Sequence, residues 1–286
     1  MMDRIKSELL NLGLKFISVD EKLVRLFLKT KPSNVNEIVI LPASKIVMKK
    51  AVSKLENKRR YGKVYNGLIE GVKVSIILTR IGAPNTAIIM ECLRRTKAKK
   101  IVRIDLCGGI EGNNRNIHIG DIIIPKMAYC GDGTSAQYLL NYSGVASQLD
   151  SITNPLSQFQ EIITGSEEIF SVEPSSEFKE ITLKEAKTFL KEKVKEVDLW
   201  TTDALFCETF DFIRALKSIN VEAVDMESSI VFLLGHFFNL KTISILSVSD
   251  IPGSEYDIIK TNEIHPDMEK GINLAIKLLL KIIPKI

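Results

Sequence analysis

Histidine and tryptophan are scarce in this chain, cysteine is thinly spread, and no uninterrupted apolar run is long enough to cross a bilayer. The three histidines, His118, His236 and His265, stand far apart, and no C-x-x-C pair accompanies them, so the usual zinc-ligand spacings are absent and no metal is expected. The four cysteines, Cys92, Cys107, Cys130 and Cys207, are equally dispersed, which implies a reducing cytoplasm and free core thiols instead of a disulfide framework. None is needed for stability, because a chain of 286 residues buries about three quarters of the surface its unfolded form exposes. The most apolar window, Ile230 to Val248, is broken by His236, Asn239 and Lys241 and reads as a buried helix followed by a buried strand, not a membrane span. The opening "MMDRIKSELLNLGLKF" is amphipathic and lacks the apolar run and small-residue cleavage site of a signal peptide, so the chain is expected to be cytoplasmic. A formal net charge of +4 is too small and too dispersed for a nucleic-acid partner, though it suits an anionic ligand.

What the sequence does contain is alternation. Short β-branched runs at 37–42, 100–109, 120–130, 196–205, 221–226 and 241–250 read as strands, and 64–82 reads as a hairpin turning at Glu70-Gly71. Helical patterns cover 44–55, 84–96 and 266–284, the second opened by Pro84 and Asn85. The pattern predicts an α/β fold, a central mixed sheet flanked by helices, as one domain over residues 1–286. Residues 141–180, rich in Ser, Asn, Gln and Glu and without a sustained period, read as a surface insertion.

The stretch "VEAVDMESSIVFLLG" (221–235) places two carboxylates, Asp225 and Glu227, in a segment otherwise apolar enough to be core. An unpaired buried carboxylate is costly, so either the acids lie at the core's edge or something polar meets them. Glu227 could cap the helix that begins there, although Ser228 and Ser229 could do so equally well. "TRIGAPNTA" (79–87), "VRIDLCGG" (102–109), "AVDMESS" (223–229) and "SVSD" (247–250) all stand at the ends of predicted strands, where α/β sheets bind ligands. "CGGIEG" lacks the G-x-G-x-x-G spacing, which excludes a dinucleotide fold.

In this order the four stretches resemble the nucleoside phosphorylase family, which includes uridine phosphorylase, hexameric purine nucleoside phosphorylase and methylthioadenosine nucleosidase. The resemblance covers roughly residues 37–138 and 196–286, and "VDMESS" is its most specific element. It implies that Glu227 accepts hydrogen bonds from the ribose hydroxyls and that Met226 lies against the sugar. Asp250 is then the acid that protonates a purine leaving group, although an Asx-turn role is its plain alternative. Phe206 is then an aromatic against the base, with a core role equally open. Arg103 matches the phosphate-binding arginine, and Arg60 the arginine that a neighbouring subunit lends. The activity so implied is phosphorolysis of a purine nucleoside to free base and ribose 1-phosphate by a homo-oligomer built from dimers, such as a trimer of dimers. Inorganic phosphate is the co-substrate, and no cofactor is required.

The phosphate side departs from the family pattern. "PASKIVMKK" stands in place of P-G-D-P-x-R, and in "RIDLCGG" Asp105 replaces a glycine and Leu106 a phosphate-binding hydroxyl. Arg80 replaces another glycine, in "TRIGAP". Arg80 and Asp105 are expected to form an ion pair beside the anion site, the alternative being that Arg80 turns toward the anion and binds it in place of the arginine missing from "PASKIVMKK". A hydrolytic nucleosidase and a nucleoside-binding relative without turnover therefore stand as alternatives.

Overall fold

A computed structural model describes residues 17–111, 116–158 and 166–286. The amphipathic opening segment and most of the "GNNRN" loop lie outside the described residues. In chain order the elements are α1 (Val19–Leu28), β1 (Ile38–Leu41), α2 (Lys45–Ser53), β2 (Glu56–Tyr61), β3 (Val64–Ile69), β4 (Val72–Ile77), α3 (Ala83–Leu93), β5 (Lys100–Gly109) and β6 (Ile122–Cys130). There follow α4 (Gly133–Asn141), α5 (Ser143–Ala146), β7 (Ser151–Thr153), β8 (Glu168–Val172), α6 (Ser176–Leu190), β9 (Val194–Thr201), α7 (Phe210–Ser218), β10 (Val221–Asp225), α8 (Ser228–Phe237), β11 (Lys241–Asp250) and α9 (Pro266–Ile282).

The strands form one mixed sheet in the order β2-β3-β4-β1-β5-β10-β9-β6-β8-β7. β11 lies parallel to β5 over nearly its whole length and also pairs antiparallel with β6. Since β5 meets β10, β10 meets β9 and β9 meets β6, the pairing closes into a ring. Closure removes the edges of the central strands and brings the ends of β5, β10 and β11 together.

Both faces of the sheet are covered. One core unites α1, α3 and α8 through Leu28, Met90, Leu93, Val231 and Leu234. The other unites α2, α6 and α9 through Val47, Phe178, Leu190, Ile276 and Leu279. α8 is apolar on every side and is buried almost to its end, as such a helix must be. α9 shows the usual end chemistry, with Pro266 at its first position, Asp267 and Glu269 in its first turn and Lys281 in its last. The hairpin turns at Glu70 and Gly71, whose positive φ angles of 48° and 78° match the strand twist.

Three sequence expectations change. β2 was not anticipated, because "ENKRRY" is an almost wholly exposed edge strand and carries no apolar alternation. Residues 141–180 are not a stretch without secondary structure: β8 pairs with β6 and extends the sheet, and β7 adds to β8. Those strands are only three and five residues long, which hides their period. Cys92, Cys107 and Cys130 are buried free thiols, whereas Cys207 is exposed in a surface turn. No helix among the described residues is long and apolar enough to cross a membrane.

Candidate active site

The carboxyl ends of β5, β10 and β11 and the loops that follow β1 and β4 enclose a cavity of about 170 Å³. Ala43 and Ser44, Asp105 to Gly108, Asp225 to Glu227 and Ser249 with Asp250 line it, joined by Leu205, Glu208 and Ile258. A second cavity of about 350 Å³ shares Ser249, Asp250 and Ile258 and runs towards Tyr256, His265 and Met268. The site lies where a parallel α/β sheet presents strand ends to a ligand.

The acids of "VDMESS" meet a buried arginine. Arg103, on β5, is 2% exposed, and its Nη2 contacts both Glu227 and, at 3.0 Å, Asp225. Burial opposes the guanidinium charge, but Glu227, Asp225 and Asp105 together outweigh it and hold Arg103 protonated. Its Nε and Nη1 are buried without a hydrogen-bond partner among the described residues. Asp225 is the structural member of the pair. It accepts hydrogen bonds from Thr201 Oγ1 at 2.8 Å, from Ser228 N at 3.0 Å and from Ser228 Oγ at 2.6 Å, and so caps α8. Glu227 stands at the N-cap position but makes no side-chain cap bond. Its Oε1 instead accepts the N–H of Gly82 at 2.7 Å, from the loop after β4, where φ is +103° and only glycine is at ease. Ser229 serves neither acid of the pair; its hydroxyl donates to Asp132 at 2.6 Å. Burial lifts the Glu227 carboxyl to about 7, with Asp225 adding to the rise, while Arg103 and the Gly82 N–H pull it down.

Asp250 ends β11 at 5% exposure. Ser249 Oγ donates to its Oδ1 at 2.6 Å, yet burial dominates and raises the carboxyl above its ordinary range, with Asp257 adding to the rise. A carboxyl shifted upward is closer to the range in which it serves as a general acid. Beside it stands Glu208, a residue that sequence reasoning missed. Burial pushes its carboxyl up to about 8, and Asp250 and Asp257 contribute in the same sense, so Glu208 is largely neutral at pH 7 and can donate as well as accept a hydrogen bond. The one signal in the sequence is an acid a few residues beyond β9, in the mostly apolar "LFCETFDF".

Asp105 does not pair with Arg80. Its Oδ2 accepts the N–H groups of Ala43 and, at 2.8 Å, of Ser44, and its Oδ1 accepts the N–H of Leu106 at 2.9 Å. Backbone donors ahead of α2 thus replace the expected arginine. Arg80 is exposed, at φ +71°, and points to a different cavity of about 580 Å³ that Arg60, Lys45, Lys49 and Lys63 also line. Arg60 donates through Nε to the carbonyl of Gly62 at 2.9 Å and lies over the Tyr65 ring. Phe206 is 81% exposed and lines neither cavity of the site, because the 3-10 turn Leu205–Cys207 directs its neighbour Leu205 inward instead. Met226, Glu227 and Asp250 therefore share one cavity, Arg103 stands behind it, and Arg60, Arg80 and Phe206 lie outside it. Among the described residues no group of three or more His, Cys, Asp or Glu is placed to hold a metal ion.

Known proteins share this arrangement of strands. The chain is 33% identical over 142 residues to a uridine phosphorylase of Thermococcus kodakarensis, a match spanning 46% of this chain and 50% of that relative. It is 25% identical over 233 residues to a DeoD-type purine nucleoside phosphorylase of Bacillus cereus, spanning 78% of this chain and 85% of the relative. The fold matches the crystal structure of uridine phosphorylase from Vibrio fischeri with a TM-score of 0.67 at 21% identity, covering 90% of this chain and 95% of that one. It also matches a 5'-methylthioadenosine/S-adenosylhomocysteine nucleosidase from Neisseria meningitidis with a TM-score of 0.65 at 16% identity, covering 87% and 99%. The model of the phosphorylase superfamily matches residues 37–284, nearly the whole described chain, and the chain belongs to that superfamily.

Proposed function

We propose that the chain cleaves the N-glycosidic bond of a purine nucleoside through an oxocarbenium-like transition state. One observation carries the reading: Glu227, Met226 and Asp250 line a single cavity at the ends of β10 and β11. Glu227 accepts from the ribose hydroxyls, Met226 covers the apolar face of the sugar, and Asp250 protonates the departing base. Such a proton transfer is typically worth about 10²–10⁴ in rate. Purine is favoured over pyrimidine because Asp250 is a carboxyl held above its ordinary range, and because "CETFDFIRALK" offers no Gln and Arg pair like the one that reads uracil.

Of the similar proteins, those named phosphorylase support phosphate as the acceptor of the ribosyl group, with ribose 1-phosphate as product, and the one named nucleosidase supports water; the residues beside the sugar decide between the two. That chemistry needs no cofactor. The reading includes a cytoplasmic homo-oligomer built of dimers, in which Arg60, exposed on β2, faces a neighbouring subunit. The test is Asp250→Asn on two substrates. Inosine cleavage should fall about 10²-fold or more, whereas a nitrophenyl riboside, whose leaving group needs no proton, should lose less than about tenfold. Equal losses on both substrates would make Asp250 structural, and no cleavage of either by the unaltered protein would reject the reading.

A further inference from the structure

The nucleoside cavity contains its own anion. The loop between β1 and α2 turns two successive backbone N–H groups, those of Ala43 and Ser44, towards one point, as a nest for a phosphate or carboxylate does. The Oδ2 of Asp105 occupies that point, and Oδ1 is held by the N–H of Leu106. Asp105 is 4% exposed and lines the same cavity as Glu227 and Asp250. Arg103, the nearest buried cation, is already shared between Glu227 and Asp225. The lysines and arginines that could attract an anion, Lys45, Lys49, Arg60, Lys63 and Arg80, line a separate cavity. An entering phosphate dianion would have to expel the Asp105 carboxylate from its donors and then lie among acids.

We propose that Asp105 is a resident occupant of the anion site, that it excludes phosphate, and that the ribosyl group is transferred to water. The inference rests on the nucleoside-cleaving reading and specifies its acceptor. In the step, a bond forms between the water oxygen and C1′ as the bond from C1′ to the base nitrogen breaks, and its electron pair leaves with the base. Asp250 gives the base a proton, and the water gives one to the Asp105 carboxylate. The products are free base and ribose, and no oxidant or further reactant enters.

Two measurements on the full chain test this. In the first, inosine is supplied with and without about 10 mM phosphate, and the sugar product is identified by NMR. The expected result is base release that phosphate raises less than about twofold, with ribose as product. Asp105→Ser, which empties the nest and supplies a hydroxyl, should lose about tenfold or more without phosphate and regain rate with it, now forming ribose 1-phosphate. In the second, inorganic phosphate is titrated against each protein by 31P NMR, which requires no turnover. Binding should be absent in the unaltered chain and present in Asp105→Ser, with Asp105→Asn as the variant of matched size should the serine protein fail to fold. Phosphate binding to the unaltered chain, or a product of ribose 1-phosphate from it, would overturn the proposal. A chain that cleaves no nucleoside but excludes phosphate until Asp105 is replaced would reject the function and keep the occupied site.

Discussion

Two cavities lie side by side near the start of α2, and they have sorted the charges between them. The inner one is lined by five acids, Asp105, Glu208, Asp225, Glu227 and Asp250, none more than 8% exposed. The outer one is lined by five exposed cations, Lys45, Lys49, Arg60, Lys63 and Arg80, none of which forms an ion pair with a described residue. Lys45 directly follows Ser44 of the inner wall, and Arg80 precedes Ile81 of the same wall. Burial makes the difference. In the inner cavity each carboxyl must be paired, hydrogen-bonded or protonated, so the acids are coupled to Arg103, to backbone N–H groups and to one another. In the outer one water and salt screen the cations, which act nearly independently.

Arg103→Ala tests the inner cavity most severely. It leaves Asp225 and Glu227 facing each other without their cation, and breaking a buried pair in this way costs about 3–5 kcal/mol. A denaturant midpoint lowered by that amount at unchanged m-value is the expected outcome, and a shift of under about 1 kcal/mol would show that the guanidinium is dispensable.

Glu208→Gln gives the next largest effect, and its sign depends on pH. The folded-state carboxyl is raised from 4.5 to about 8, so between those values the native state holds a proton that the unfolded chain has lost. Stability therefore falls as pH rises through that window, and the penalty is complete above about pH 8. The glutamine variant should match the unaltered protein near pH 4 and exceed it by roughly 4–5 kcal/mol near pH 9, since the carboxyl holds its proton more than a thousandfold more tightly in the folded chain and each tenfold corresponds to about 1.4 kcal/mol. Thermal unfolding at the two pH values measures it. A gain that is constant with pH would mean that Glu208 is not raised by its surroundings.

The sequence carried the fold well because the central strands are long, β-branched and separated by capped helices, and those features are local. It missed β2 because an exposed edge strand needs no apolar face, and β7 with β8 because short strands give too few positions for a period. "VDMESS" pointed to Glu227 because a carboxylate amid core residues has to be explained. Asp225 was harder to weigh: besides Ser228 in the same stretch, its importance lies in Thr201 and Arg103, which come from two other places in the chain. Phe206 and Leu205 are adjacent, and only the 3-10 turn decides which of them faces the cavity. Asp105 stands out in the sequence as an anomaly beside the anion site, yet sequence alone supplies only another side chain, Arg80, as its partner. Backbone N–H groups carry no letter in a sequence, so a nest that a carboxylate can fill is invisible until the loop is seen.

Arg80→Ala should have the smallest effect, and for that reason it separates the two accounts of Asp105. Were Arg80 the buried partner of that carboxylate, its removal would strand a charge and cost about 3–5 kcal/mol. In the structure Asp105 is held by the N–H groups of Ala43, Ser44 and Leu106, and Arg80 stands exposed among other cations. Alanine keeps the same left-handed strain at φ +71°, so the backbone contribution cancels and only the side chain is tested. Surface substitutions of this kind change stability by less than about 0.5 kcal/mol. Removing one of five like charges from a cavity also relieves a little repulsion, which pulls the small change towards stabilisation and makes it shrink as salt is added. A loss of several kcal/mol, measured by chemical denaturation at low salt, would break the separation of the two cavities and return Arg80 to the anion site.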